Sequence, residues 1–135
     1  MKTLYHYTSI ERWRLIEAAG YLKLTESALS RTKEHAGPDV VWLTTDPDLS
    51  HDHGLGGTLD GTDKTRVRVA VTLLNRDVHK WKEWAIRRGI EPDWLKALIR
   101  VGGSGTWRIT EKSIPIGRWA EVLDRTTGAV LHQPA

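Results

Sequence analysis

The sequence predicts a single α+β domain, and three observations predict it. Short apolar or alternating stretches recur towards both ends of the chain, helical signals fall between them, and no linker, repeat or low-complexity tract divides it. A length of 135 residues is enough to bury one core. Hydrophobic residues at 39% and charged residues at 27% are globular values, which excludes a disordered chain.

Residues 2–7 (KTLYHY) alternate and hold two tyrosines, the mark of a short strand. Thr8-Ser9-Ile10-Glu11 fits a capping box, with the Thr8 hydroxyl serving one end and Glu11 the other. Ile10, Trp13, Leu15 and Ile16 then make a rough helical stripe that Gly20 stops. Residues 21–24 read as a short strand and the polar stretch 25–38 as loop, or as a short helix followed by loop. Val40-Val41-Trp42-Leu43 is a buried strand that ends at Thr44-Thr45-Asp46-Pro47, since proline cannot donate to a ladder.

Residues 48–64 hold four glycines and no periodicity, so they read as a functional or disordered loop with little to pin it. The clearest strand is 65–73. Val67, Val69, Val71 and Leu73 share one face, with Arg66, Arg68 and Thr72 on the other. A helix is expected over 76–88, with Trp81, Trp84 and Ala85 inward, and a second from Pro92 to about Gly102-Gly103. Residues 105–110 (GTWRIT) read as a strand, and 119–124 pairs with 129–132 across Arg125-Thr126-Thr127-Gly128. The expected sheet is mixed or antiparallel, with the helices at its periphery.

Several function classes drop out on composition. No apolar run reaches the roughly 20 residues needed to cross a bilayer, and residues 1–6 lack the pattern of a signal peptide. No membrane association and a cytoplasmic location are therefore expected. With no cysteine there is no disulfide, no thiolate metal site and no cysteine nucleophile. A net charge of +3 and a pI near 9.3 favour approach to phosphates without marking a dedicated nucleic-acid binder. Oligomeric state stays open.

His6 stands at a strand end just before a capped helix N-terminus, where free N–H groups and the helix dipole favour phosphate or ribose oxygens. Tyr7 or Tyr5 offers a ring for stacking. The competing reading makes His6 a core histidine whose N–H meets a backbone carbonyl. The hydroxyls of Thr44 and Thr45 and the carboxylate of Asp46 end a strand where sugar hydroxyls or a water bind; an ordinary turn explains them as well. Glu111 follows the 107–110 strand and is placed to steady a cationic centre, or is a surface charge. Arg66 and Arg68 read as phosphate contacts or as solvated partners of Asp60 and Asp63. His51-Asp52-His53, with His35, has only part of a zinc set, so no metal is expected. Gly54-Leu55-Gly56-Gly57 lacks the strand-then-helix context of a dinucleotide fingerprint.

Taken in order, Leu4-Tyr5-His6-Tyr7-Thr8-Ser9, a helix ending in Gly20-Tyr21-Leu22, Val40-Val41-Trp42-Leu43-Thr44-Thr45, and Thr106-Trp107-Arg108-Ile109-Thr110 with Ile114-Pro115 resemble the ADP-ribosyltransferase-like superfamily. The resemblance is to the branch of poly(ADP-ribose) polymerases, DNA-targeting ADP-ribosyltransferase toxins and RNA 2′-phosphotransferases. It spans roughly residues 4–124 and implies one domain over 1–135 with NAD as substrate. His6 then matches the histidine that holds the NAD ribose, Tyr7 and Thr8 flank it, and Trp42, Thr44 and Thr45 form the second motif. Counting back from Ile114-Pro115, the family's usual glutamate position falls near Trp107, and Glu111 is the nearest carboxylate. The resemblance thus implies a nucleotide ligand bound by His6, Tyr7, Thr8, Trp42, Thr45 and Trp107. His6, Thr44 and Glu111 would serve transfer of ADP-ribose to a nucleic-acid or protein acceptor. The alternative is a nucleotide- or nucleic-acid-binding module on the same scaffold without transfer.

Overall fold

The alternating residues at the start of the chain form β1 (Lys2–Thr8), and the structure, a computed structural model, describes residues 1–25, 29, 37–49, 63–100 and 103–134. The readings of residues 26–28 and 30–36, of His35, and of residues 50–62 with His51, His53 and Gly54–Gly57 lie outside the described residues. β1 is followed by α1 (Ile10–Ala19) and β2 (Tyr21–Leu22). The cap of α1 is Ser9, whose hydroxyl accepts from the Arg12 N–H at 3.1 Å. Thr8 was expected there, but pairing with Val67 holds it in the strand. Gly20 ends α1 at φ 80°, the left-handed conformation in which a side chain is strained.

β3 (Val41–Thr44) and β4 (Val67–Leu73) appear as the apolar runs predict. The expected helix over 76–88 is shorter. A 3-10 turn at Asn75–Asp77 leads into the edge strand β5 (His79–Lys80), and only then does α2 (Trp81–Arg87) begin. Tertiary pairing decides this, because His79 and Lys80 lie opposite Ile109 and Arg108. α3 (Pro92–Arg100), β6 (Trp107–Thr110), β7 (Ile114–Pro115), β8 (Trp119–Asp124) and β9 (Val130–His132) complete the chain. The last two form the expected hairpin. β2 and β7 pair with each other, Tyr21 opposite Pro115 and Leu22 opposite Ile114, and make a second sheet of two strands.

The main sheet has the order β5-β6-β3-β1-β4-β8-β9. Every pairing among the described residues is antiparallel, one of the two sheet types expected from the sequence. The result is one small α+β domain. No helix among the described residues is long and apolar enough to cross a membrane.

Register assigns side chains to faces. His6 lies opposite Val69 and Leu4 opposite Val71, so both join the face that carries Val67, Leu73, Val41, Leu43 and Val122. Trp13 of α1, Leu22, Ile114 and Trp119 cover that face. The opposite face carries Trp42, Trp107 and Ile109 beneath Trp81, Trp84 and Ala85 of α2, with Trp94, Leu95 and Leu98 of α3 packed alongside. Trp81 sits 5.7 Å from Trp42 and 5.3 Å from Trp107 between ring centroids.

Candidate functional site

Successive residues of a strand point their N–H and C=O to opposite edges, so Val40, Trp42 and Thr44 present theirs to the same edge of β3. That edge faces β1, and it is satisfied in three different ways. Thr44 pairs in register with Tyr5, the single pairing between the two strands. The Trp42 carbonyl takes a side chain instead, the His6 ring, with Nδ1 at 2.8 Å. Val40 exchanges both backbone bonds, at 2.6 Å each, with Thr25 from the segment after β2. β1 and β3 therefore part beyond Tyr5 and Thr44, leaving a notch bordered by His6, Trp42 and Thr25 that opens towards Thr8 and Val41.

A carbonyl can only accept, so Nδ1 carries the proton. Nε2 is then an acceptor, and it has no hydrogen-bond partner among the described residues. Burial holds the imidazole below its ordinary pKa, the Trp42 carbonyl works against that, and the nearby Arg12 charge adds to it. The ring is neutral at neutral pH. His6 was expected at the strand's end. It sits two residues inside β1 and, as the competing reading held, its N–H serves a backbone carbonyl. The same bond leaves its other nitrogen, Nε2, as an acceptor. Thr8 and Ser9, both buried, lead from the notch into the first turn of α1.

The remaining candidates divide by face. Tyr5 lies opposite Thr44, so His6, one residue on, faces away from Thr44. Thr44 is 5% exposed and its hydroxyl is occupied: it donates to the Thr106 hydroxyl at 3.1 Å and accepts from the Asp46 N–H at 3.1 Å. The Thr45 N–H donates to the Thr106 carbonyl at 3.1 Å. These bonds fix the turn at the closed end of the notch. Trp107 is opposite Thr44 at that end and belongs to the tryptophan cluster, as does Trp42.

Tyr7 shares the face of Trp42, but its hydroxyl donates to the Asp46 carbonyl at 2.9 Å and its ring lies under the Arg125 guanidinium. Burial pushes the phenol up to about 12. Arg68 donates to the Pro47 carbonyl at 2.7 Å and Arg125 to the Asp48 carbonyl at 3.0 Å. Three side chains thus hold three successive carbonyls of the segment that crosses this face.

Arg66 and Arg68, read from sequence as phosphate contacts, are committed to the fold. Arg66 makes a two-pronged pair with Asp124 through Nε at 3.1 Å and a terminal nitrogen at 2.9 Å, and Arg68 pairs with Glu121 at 3.1 Å. Glu111 follows β6, one position beyond the Val41–Thr110 pair, and its side chain meets α2 on the face that carries Trp42. Its Oε1 accepts from Trp84 Nε1 at 2.8 Å and from Arg88 at 2.7 Å. The Trp84 bond, with the Arg88 charge, lowers its pKa against the effect of burial and keeps it ionised. It is suited to steadying a cation and unsuited to giving up a proton. Among the described residues no cluster of three or more His, Asp or Glu is placed to hold a metal.

Sequence reasoning missed Thr25, whose bridge to Val40 has no local signal, and the pair Trp84 and Arg88. The i,i+4 spacing of Trp84 and Arg88 on a helix put both side chains on one side, but not which strand end they meet. Comparison of the chain with protein-family models, curated proteins and solved structures gave no match.

Proposed function

We propose that this domain is an ADP-ribosyltransferase-like enzyme that binds NAD in the notch between β1 and β3 and transfers ADP-ribose to a nucleic-acid or protein acceptor. One observation carries the reading. The Trp42 carbonyl holds Nδ1 of the His6 ring at 2.8 Å, which leaves the neutral Nε2 as an acceptor. A ribose hydroxyl is a donor that matches it; a phosphate oxygen, itself an acceptor, does not. As the bond from ribose to nicotinamide breaks, nicotinamide leaves with the bonding electrons and the sugar carbon becomes cationic. The ionised Glu111 is the carboxylate that would steady that charge. The acceptor's nucleophile then bonds to that carbon and releases its proton.

A second reading, a nucleotide-binding module without transfer, is favoured by how firmly Glu111 is held: one of its oxygens serves both Trp84 and Arg88. Labelled NAD incubated with the protein and candidate acceptors separates the two. The transferase reading expects NAD consumption, with Glu111→Gln slower by roughly tenfold or more at nearly unchanged NAD affinity, because a group acting on the transition state contributes mainly there. Binding without consumption supports the module. Neither binding nor consumption refutes both.

A further inference from the structure

The strand pairing at the outer edge of the main sheet sets two cations abreast. Lys80 of β5 lies directly opposite Arg108 of β6, and like charges in that position repel. Arg108 donates only to the carbonyls of Gly105 and Trp107, at 3.0 and 3.1 Å, and no carboxylate among the described residues pairs with it or with Lys80. Along the same chain, Lys112 reaches back to Asp77 at 3.0 Å. Arg76, beside Asp77 in the 3-10 turn, and Arg118, in the 3-10 turn of Ile116–Arg118, also act electrostatically on that carboxylate. Arg76, Lys80, Lys112 and Arg118 are exposed. One acid is thus set among three cations, next to an unneutralised cationic pair.

We propose that this edge, carrying Arg76, Lys80, Arg108 and Lys112, docks the phosphate backbone of single-stranded nucleic acid. Arg108 and Lys80 lie on the face that carries Leu43 and His6, opposite to Trp42 and Trp107, and β3 separates their strands from β1. Arg108 lies in β6 with Lys80 opposite, and Lys112 follows in the bend just past the strand's end. A flexible backbone bearing a charge at every unit can follow such a line, and guanidinium forks suit its oxygens. A lysine on a short edge strand also prevents pairing with another sheet, which accounts for Lys80 alone but not for the arginine opposite it.

Fluorescence anisotropy with a labelled mixed-sequence single-stranded DNA, and with the same sequence as RNA, tests the assignment. The wild type binds, and the logarithm of its affinity falls with the logarithm of salt by about 0.7 per phosphate contact. Lys80→Ala combined with Arg76→Ala weakens binding roughly tenfold and flattens that slope by about 1.4. The charge-keeping pair Lys80→Arg and Arg108→Lys binds as the wild type does, and so does Arg87→Ala on exposed α2. Absence of binding at low salt, equal weakening by Arg87→Ala, or tighter binding of polyglutamate's opposite, polylysine, than of the oligonucleotide would each overturn the proposal. Self-association of the Lys80 variant with unchanged nucleic-acid affinity would overturn it too, and would reduce Lys80 to a guard of the edge.

Discussion

Trp81→Ala is expected to destabilise the domain by about 3–5 kcal/mol, the usual range for removing a buried aromatic side chain. Trp81 is fully buried at the first position of α2, and its ring packs against those of Trp42 and Trp107. Those two rings contact each other edge-on at 5.9 Å, so the cluster is closed on itself and cannot collapse into the space left behind. The loss should appear as a lower midpoint in denaturant unfolding at unchanged slope, with Trp81→Phe intermediate. A loss below about 1 kcal/mol would mean that the α2 layer contributes little to the fold.

Asp124→Asn is the second large effect, and its signature is in pH. Asp124 is buried at the end of β8, holds Arg66 through both of its oxygens, and accepts from the Thr126 N–H at 3.0 Å in the turn to β9. The Arg66 bond is the main reason that its pKa lies far below the ordinary carboxylate value, with the turn N–H groups adding to it and burial opposing. A folded pKa below the unfolded one means that the unfolded chain binds more protons. The stabilisation is therefore complete above the unfolded value of about 3.9 and is lost as pH falls from there towards the folded value. Thermal melts of the wild type should be insensitive to this group at neutral pH and fall in Tm below about pH 4. The asparagine variant should melt several degrees lower at neutral pH and lose that part of the acid dependence. Identical pH profiles for the two proteins would contradict the assignment.

Much of the fold was legible because periodicity survives into structure where an element is long enough to show it. The alternation of Val67, Val69, Val71 and Leu73 is β4, and the stop at Gly20 is the end of α1. Two-residue strands carry no period. β2, β5 and β7 exist through their partners, which is why a helix was expected where His79 and Lys80 join the sheet. The site was legible in part. That the His6 strand and the Trp42 strand lie side by side was expected. That they part after one pair, and that His6 spans the opening, depends on register, which short strands do not encode. Register also separates His6 from Thr44 by face. Arg66 and Arg68 find their acids 58 and 53 residues away, a distance over which local pattern says nothing.

The most direct measurement of the central claim is calorimetric titration of NAD into the wild type and into His6→Asn, with melting curves of both. An asparagine amide can stand where Nδ1 stands and donate to the Trp42 carbonyl, but it has nothing in the place of Nε2. The account predicts that the variant melts close to the wild type while its affinity for NAD falls roughly tenfold or more, the equivalent of one lost hydrogen bond. A wild type that takes up no NAD, or a variant that binds NAD as well as the wild type, would contradict it.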